Sequence, residues 1–165
     1  MSRRQVQIGI FPDFKGVVSS IRIRKVAIKA LNAGISTRGH GVSVVIADDE
    51  TLRILNRDHR GLDSVTDVLA FEGVGSGAES DLKGAGMDTQ IFPLAPDQPK
   101  SFGEVIISYP QAERQAMERG WPVEKETALL VVHGILHLLG YDHEEEEAAQ
   151  VMEELEGRVL REIFS

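Results

Sequence analysis

The sequence predicts one α+β domain, a small mixed four-stranded sheet packed with about five helices. Three observations support this fold class. A length of 165 residues suits one domain with a single hydrophobic core. Hydrophobic residues (42%) and charged residues (27%) occur in the proportions of an ordinary globular protein. Segments with strand and helix periodicity follow one another along the chain without an internal repeat.

The first two predicted elements are a strand and a helix. Gln5 to Phe11 alternates with period two, which is typical of a strand. Val17 to Ala33 has apolar residues at helical spacing and is predicted as a helix. The residues expected to share its apolar face are Val17, Ile21, Ile28 and Leu31.

Two more strands are predicted on either side of a second helix. Val42 to Ala47 is a β-branched run, and Thr66 to Glu72 is the next strand. Between them a helix opens at Asp48 and runs to about Asp58, with acids at its positive end. The following Gly- and Pro-rich segment, Gly73 to Phe102, is long for a loop and is therefore usually disordered or functional. We interpret it as an insertion within one domain that spans residues 1–165.

The last third is predicted to hold one strand and three helices. The strand is Glu104 to Ser108, and the helices are Pro110 to Arg119, Pro122 to Leu139 and Glu144 to Ile163. Gly120 is expected to stop the first of these helices, and Pro122 suits the first turn of the next. The apolar stripe predicted for the last helix comprises Ala148, Met152, Leu155, Val159 and Ile163.

Composition excludes several classes of protein. The chain has no cysteine, so it has no disulfide, no thiolate nucleophile and no Cys-ligated zinc. Any metal must be held by His, Asp or Glu. No apolar run reaches the roughly 18 residues that a membrane-spanning helix needs, and the N-terminus lacks the apolar core of a signal peptide. We therefore expect a cytoplasmic protein that does not enter a membrane.

Charge is distributed unevenly along the chain. The net charge is −8, yet residues 1–40 hold eight Lys and Arg side chains against one Asp. Arg22, Lys25 and Lys29 are predicted to share one face of the first helix. They either solvate an exposed face or contact a polyanion, and charge alone favours solvation.

The most informative segment is a cluster of three of the five histidines. His133 and His137 are four residues apart on a predicted helix, so both imidazoles lie on one face. His143 reaches the same place only if the chain turns back, and Gly140 can end the helix in the left-handed conformation. Three imidazoles would give a zinc-like ion three ligands and leave the fourth position for water or substrate.

The histidine spacing equals that of the metzincin peptidases, HExxHxxGxxH, with one difference. Gly134 stands where those enzymes have their glutamate base, which disfavours peptidase chemistry by that mechanism. Asp142 either orients a ligand imidazole or forms a capping box with Glu145 at the start of the last helix.

The sequence resembles the YbeY family of bacterial endoribonucleases, which mature ribosomal RNA. His133 to His143 meets every fixed position of the family signature HGxLHLxGYDH. A second family block is met by Leu55-Asn56, Arg60 and Thr66 to Phe71, and a third by Gly103 to Ser108. Ala70 and Glu104 depart from the usual Ser and Asp of the family.

The resemblance implies the site and the activity. It makes His133, His137 and His143 ligands of one Zn²⁺ per chain, although imidazoles suit other divalent metals too. It places Arg60 in the metal cleft as a catalytic residue, where a guanidinium suits a phosphodiester. Without the resemblance, Arg60 is equally well interpreted as a partner of Asp58 or Asp63.

The predicted function is that of a zinc-dependent, single-strand-specific endoribonuclease in ribosomal RNA processing. This covers 3′-end maturation of small-subunit RNA and ribosome quality control, with the small subunit or an associated protein as partner. Arg22, Lys25 and Lys29 would hold the RNA backbone. The alternatives are a metallopeptidase without the usual glutamate, and a non-enzymatic assembly factor with a metal site.

Overall fold

The computed structural model describes residues 6–34, 41–72, 101–141 and 144–164, which hold four strands and five α-helices. The strands are β1 (Val6–Ile10), β2 (Gly41–Ala47), β3 (Val68–Glu72) and β4 (Ser101–Ser108). The helices are α1 (Ser20–Gly34), α2 (Asp49–Arg60), α3 (Tyr109–Arg119), α4 (Val123–Leu138) and α5 (Glu146–Phe164). A 3₁₀ turn, Pro12–Phe14, lies between β1 and α1.

The four strands form one mixed sheet in the order β1-β2-β4-β3. β1, β2 and β4 are parallel, and β3 is antiparallel to β4. Every residue of β2 is buried, as expected for a β-branched strand that is covered on both faces. The predicted fold class, including the mixed sheet, is confirmed.

The helices cover the two faces of the sheet unequally. One face carries the larger core, to which α1, α3, α4 and α5 contribute buried residues. The other face is covered by α2, whose Leu52 and Leu55 are fully buried in a smaller cluster with residues such as Val45 and Ile106. Helix α4 lies at the centre of the larger core, in contact with α1, α3, α5 and the sheet.

The apolar face predicted for the first helix is wrong at two residues. Val17 precedes α1 and is 64% exposed, and Ile21 in its first turn is 79% exposed. The core-facing residues are Ile23, Val26, Ala27, Ala30 and Leu31. At about 100° per residue, Ile21 lies on the opposite side of the helix from Ala30, so its side chain stays exposed.

The C-terminal boundary predicted for the insertion, Phe102, differs from the structure. Residues 101 and 102 belong to β4, which begins three residues before the predicted Glu104, and residues 73–100 lie outside the described part of the chain. Gly103 has φ 146°, and a Cβ there would lie 2.0 Å from the carbonyl oxygen of Phe71. Only glycine therefore permits this close pairing of β3 and β4. Whether residues 1–165 form one domain stays a prediction.

Among the described residues, no helix is both long and apolar enough to cross a bilayer.

Candidate active site

Two histidines lie side by side near the end of α4. The rings of His133 and His137 are nearly parallel, at 7°, and their centroids are 6.4 Å apart. His137 is exposed, whereas the His133 side chain is 30% exposed. The predicted placement of both imidazoles on one helix face is confirmed, and their role as metal ligands stays a prediction.

The chain turns at the end of α4 as Gly140 predicts. The helix ends at Leu138, and Gly140 follows with φ 102°. The backbone N–H of Tyr141 donates to the carbonyl of Leu136, which closes the turn. The Tyr141 hydroxyl donates to the carbonyl of Gly34 at 2.9 Å, so the turn is also fixed to the end of α1.

The third predicted ligand, His143, and its neighbour Asp142 lie outside the described residues. In the part of the chain that the structure does describe, no three His, Asp or Glu side chains are grouped to hold a metal. The three-histidine site and both interpretations of Asp142 therefore stay predictions.

Gly134 is required by packing, which sequence analysis did not foresee. A Cβ at this position would lie 2.5 Å from Cγ1 of Val105 on β4, and 3.3 Å from its Cβ. Val105 is buried and β-branched, so it has little room to move. The helix thus packs too closely on the sheet to carry the glutamate of a metzincin at this position.

Glu156 of α5 joins the site although the sequence analysis missed it. Its Oε1 lies 2.8 Å from Nδ1 of His133, and its side chain is only 14% exposed. It lies four residues after Met152 and three before Val159, both buried. A signal for it existed in the sequence, because a carboxylate on an apolar helix stripe needs a polar partner.

Arg60 is exposed at the last position of α2. The two carboxylates proposed as its partners are paired with other arginines. Asp58 accepts from Arg57, and Asp63 accepts from Arg53 at 2.6 Å. Within the described ranges Arg60 forms no ion pair, so interpreting it as a surface salt bridge with Asp58 or Asp63 is wrong. Its catalytic role stays a prediction.

Helix α2 is fixed at both of its ends. At its start, Oδ1 of Asp49 accepts hydrogen bonds from Nη2 of Arg114 and Oγ of Ser108. The hydrogen bond from the Arg114 guanidinium is the main reason why the pKa of Asp49 is lowered. Near its end, Nδ2 of the buried Asn56 donates to the carbonyl of Ser64, which holds the loop that leads to β3.

The three basic residues predicted to bind RNA lie on α1 in two different settings. Arg22 and Lys25 are exposed and line a groove of about 650 Å³ together with Val123 and Glu124. Lys29 is part-buried, and its Nζ lies 3.5 Å from Glu162 of α5. The groove is at the first turn of α4, whereas the histidines occupy its last turns.

The fold and the site together define a small α+β protein with a histidine-centred site on its buried helix. Comparison with known proteins identifies the family within this class. Residues 15–164 match the family model of Endoribonuclease YbeY, and the chain belongs to this family. The predicted resemblance and the predicted enzyme class, an endoribonuclease, are thereby confirmed.

Curated relatives support the same assignment. A protein from Dehalococcoides mccartyi named Endoribonuclease YbeY is 42% identical over 148 residues, which cover 90% of this chain and 83% of the relative. A protein of the same name from a Roseiflexus species is 38% identical over 97% of this chain and 93% of its own. The solution structure of TM1509 from Thermotoga maritima shares the fold, with a TM-score of 0.55 and 24% identity over 97% of this chain and 89% of that one.

Proposed function

We propose that this protein is a zinc-dependent, single-strand-specific endoribonuclease in ribosomal RNA processing. Its tasks would include 3′-end maturation of small-subunit RNA and ribosome quality control, with the small subunit or an associated protein as partner. The observation that carries the proposal is the pair of parallel imidazoles of His133 and His137 near the end of a buried helix. The name shared by the relatives, Endoribonuclease YbeY, supports RNA as the substrate.

The donor set fits a divalent metal. Two imidazoles one helical turn apart, with His143 following the turn at Gly140, are the nitrogen ligands that zinc prefers. When bound, such an ion would supply Lewis-acid chemistry that stabilises charge developing on the phosphate. The exposed His137 would face the substrate side of the site.

Arg60 would bind the phosphodiester. Its guanidinium is always charged and can donate to two phosphate oxygens at once. Because Asp58 and Asp63 are held by Arg57 and Arg53, neither neutralises it in the described structure. Stabilising the charge that develops on the phosphate is the role that this side chain would fill.

The basic face of α1 would hold the RNA backbone away from the reacting phosphate. Arg22 and Lys25 are exposed for this purpose, whereas Lys29 would exchange its contact with Glu162 for a phosphate. The affinity for RNA through such contacts falls as the salt concentration rises. On a plot of log affinity against log salt concentration, each phosphate contact changes the slope by about one unit.

The proposal is tested by cleavage of a labelled single-stranded ribosomal RNA fragment. We expect the wild-type protein to cleave it with added Zn²⁺ and to lose activity with a chelator, and we expect folded His137→Ala to be inactive. Equal cleavage by both proteins would contradict the histidine site. Failure of both, with the small subunit present as well as absent, would favour a non-enzymatic assembly factor.

A matched pair of arginines tests the role of Arg60. Arg60→Ala is expected to lower the cleavage rate about 10²- to 10³-fold, because a positioned donor to the transition state is lost. Arg57→Lys, three residues earlier on the same exposed helix end, keeps a positive charge beside Asp58 and is expected to keep a rate close to that of the wild type. Equal losses in the two variants would contradict a specific role for Arg60.

A further inference from the structure

Glu156 differs from the other acids of its helix. Glu153 and Glu154 are exposed, whereas Glu156 lies on the buried stripe with Met152 and Val159. A carboxylate in such a place is costly unless it is paired. Its partner is Nδ1 of His133, at 2.8 Å. Solvation of the helix surface therefore does not explain this side chain.

The contact with Glu156 favours one of the two neutral tautomers of the His133 imidazole. A neutral ring carries its proton on one nitrogen and a lone pair on the other. A carboxylate accepts but cannot donate, so Glu156 favours the form with the proton on Nδ1. The lone pair of His133 is then on Nε2, which is the nitrogen that can bind a metal.

We propose that Glu156 is a positioning residue that sets the tautomer and the ring orientation of His133 for metal binding. This inference rests on the proposed metal site. Carboxylates that hold the remote nitrogen of a ligand histidine raise its basicity, and their loss typically weakens metal binding about 10- to 100-fold.

Helix α5 delivers this carboxylate because of where it starts and how it packs. It begins at Glu146, three residues after His143 in the sequence. Burial of Met152 and Val159 against the larger core then turns Glu156 toward α4. Helix α5 thus follows His143, the third predicted ligand, in the sequence and contacts His133, the first.

The first test measures the tautomer of His133 in the metal-free protein at alkaline pH, where nitrogen-15 shifts themselves distinguish a neutral ring from a protonated one. Nitrogen-15 shifts of the imidazoles are expected to show the proton of His133 on Nδ1 in the wild type. Glu156→Ala is expected to move it partly to Nε2, and Glu153→Gln, an exposed control on the same helix, is expected to change nothing. An unchanged tautomer in Glu156→Ala would overturn the proposal.

The second test measures Zn²⁺ affinity by competition with a coloured chelator, with Zn²⁺ as the only ligand added. Glu156→Ala and the shape-conserving Glu156→Gln are expected to bind about 10- to 100-fold more weakly, with Gln the less affected of the two. Thermal unfolding of the metal-free variants confirms that they are folded. Wild-type affinity in Glu156→Ala would overturn the positioning role, whereas no zinc binding by the wild type would overturn the metal site itself.

Discussion

Helices α2 and α4 each carry predicted site residues near the C-terminal end, yet they are stabilised mainly by different interactions. In α2, the Asp48 side chain accepts from the backbone N–H of Thr51 at 2.9 Å, and Gly61 ends the helix with φ 72°. Acids occupy its first turn and basic residues its last, as the helix dipole favours. Helix α4 starts after Pro122 with no side-chain cap.

In α4, burial contributes more than local signals do. Nine of its residues are buried, including Glu126, whose carboxylate is 0% exposed. That carboxylate accepts hydrogen bonds from Gln115 and from the Trp121 indole, both at 2.8 Å. The comparison teaches that α2 is specified mainly by neighbours in sequence and α4 mainly by neighbours in space. Substitutions that disturb packing should therefore cost more in α4.

A matched pair of glycines gives the largest expected effect. Gly134→Ala should destabilise the protein by about 2 to 3 kcal/mol, because its Cβ would overlap Val105 and overpacked cores cost this much. Gly157→Ala in α5 would meet only the flexible end of Arg161, at 3.3 Å, and should stabilise by about 0.5 to 1 kcal/mol. Urea unfolding measures both.

The two glycine variants should change the free energy of unfolding in opposite directions. If Gly134→Ala unfolds at the same urea concentration as Gly157→Ala, the close approach of α4 to β4 is wrong. Packing would then no longer explain why position 134 holds glycine and not the glutamate of a metzincin.

The next effect tests the hydrogen bond that Asn56, near the end of α2, donates to the loop that leads to β3. Asn56→Ala should cost about 1 to 2 kcal/mol, because it leaves the Ser64 carbonyl without its buried donor. Ser64→Ala keeps that carbonyl and should change stability by less than about 0.5 kcal/mol. Chemical denaturation of both variants separates them, and equal losses would contradict a role for the Asn56 amide.

The smallest effect concerns pH and the start of α2. Because the pKa of Asp49 is lowered in the folded protein, its contribution is fully present above the ordinary value of 3.8 and is lost as pH falls below it. Asp49→Asn should cost less than about 1 kcal/mol at pH 7, since the Asp49 side chain is one-third exposed. The stability gap between wild type and variant should shrink below about pH 4 in urea titrations. A constant gap would contradict the ion pair with Arg114.

The same contrast explains what the sequence could predict. The opening of α2 at its run of acids, the stop at Gly120 and the turn at Gly140 follow from local chemistry, and the structure confirms them. The spacing of His133 and His137 likewise placed both rings on one helix face. Each of these predictions depends on residues within one or two turns of each other.

Contacts between distant residues were not predictable in this way. The spacing of the histidines marks Gly134 only as the place of a missing base. The need for glycine there comes from Val105, 29 positions earlier, which leaves no room for a Cβ. Helical spacing predicts Ile21 on the apolar face of α1, yet Ile21 is exposed and the smaller Ala27 is buried. The pairing of Asp63 with Arg53, which removes a partner from Arg60, spans ten residues across the end of α2.

The hydrogen bond from Tyr141 to Gly34 has a consequence for any ligand of the following residues. Residue 34 lies so close to the turn that a Cβ would be 2.6 Å from the Leu139 side chain. Glycine, which has no Cβ, therefore allows its carbonyl to reach the Tyr141 hydroxyl. The backbone up to Tyr141 therefore loses its conformational entropy when the protein folds. A ligand that bound at the end of α4, as proposed, would then order less of the chain, and its affinity would rise through preorganisation rather than through added contacts.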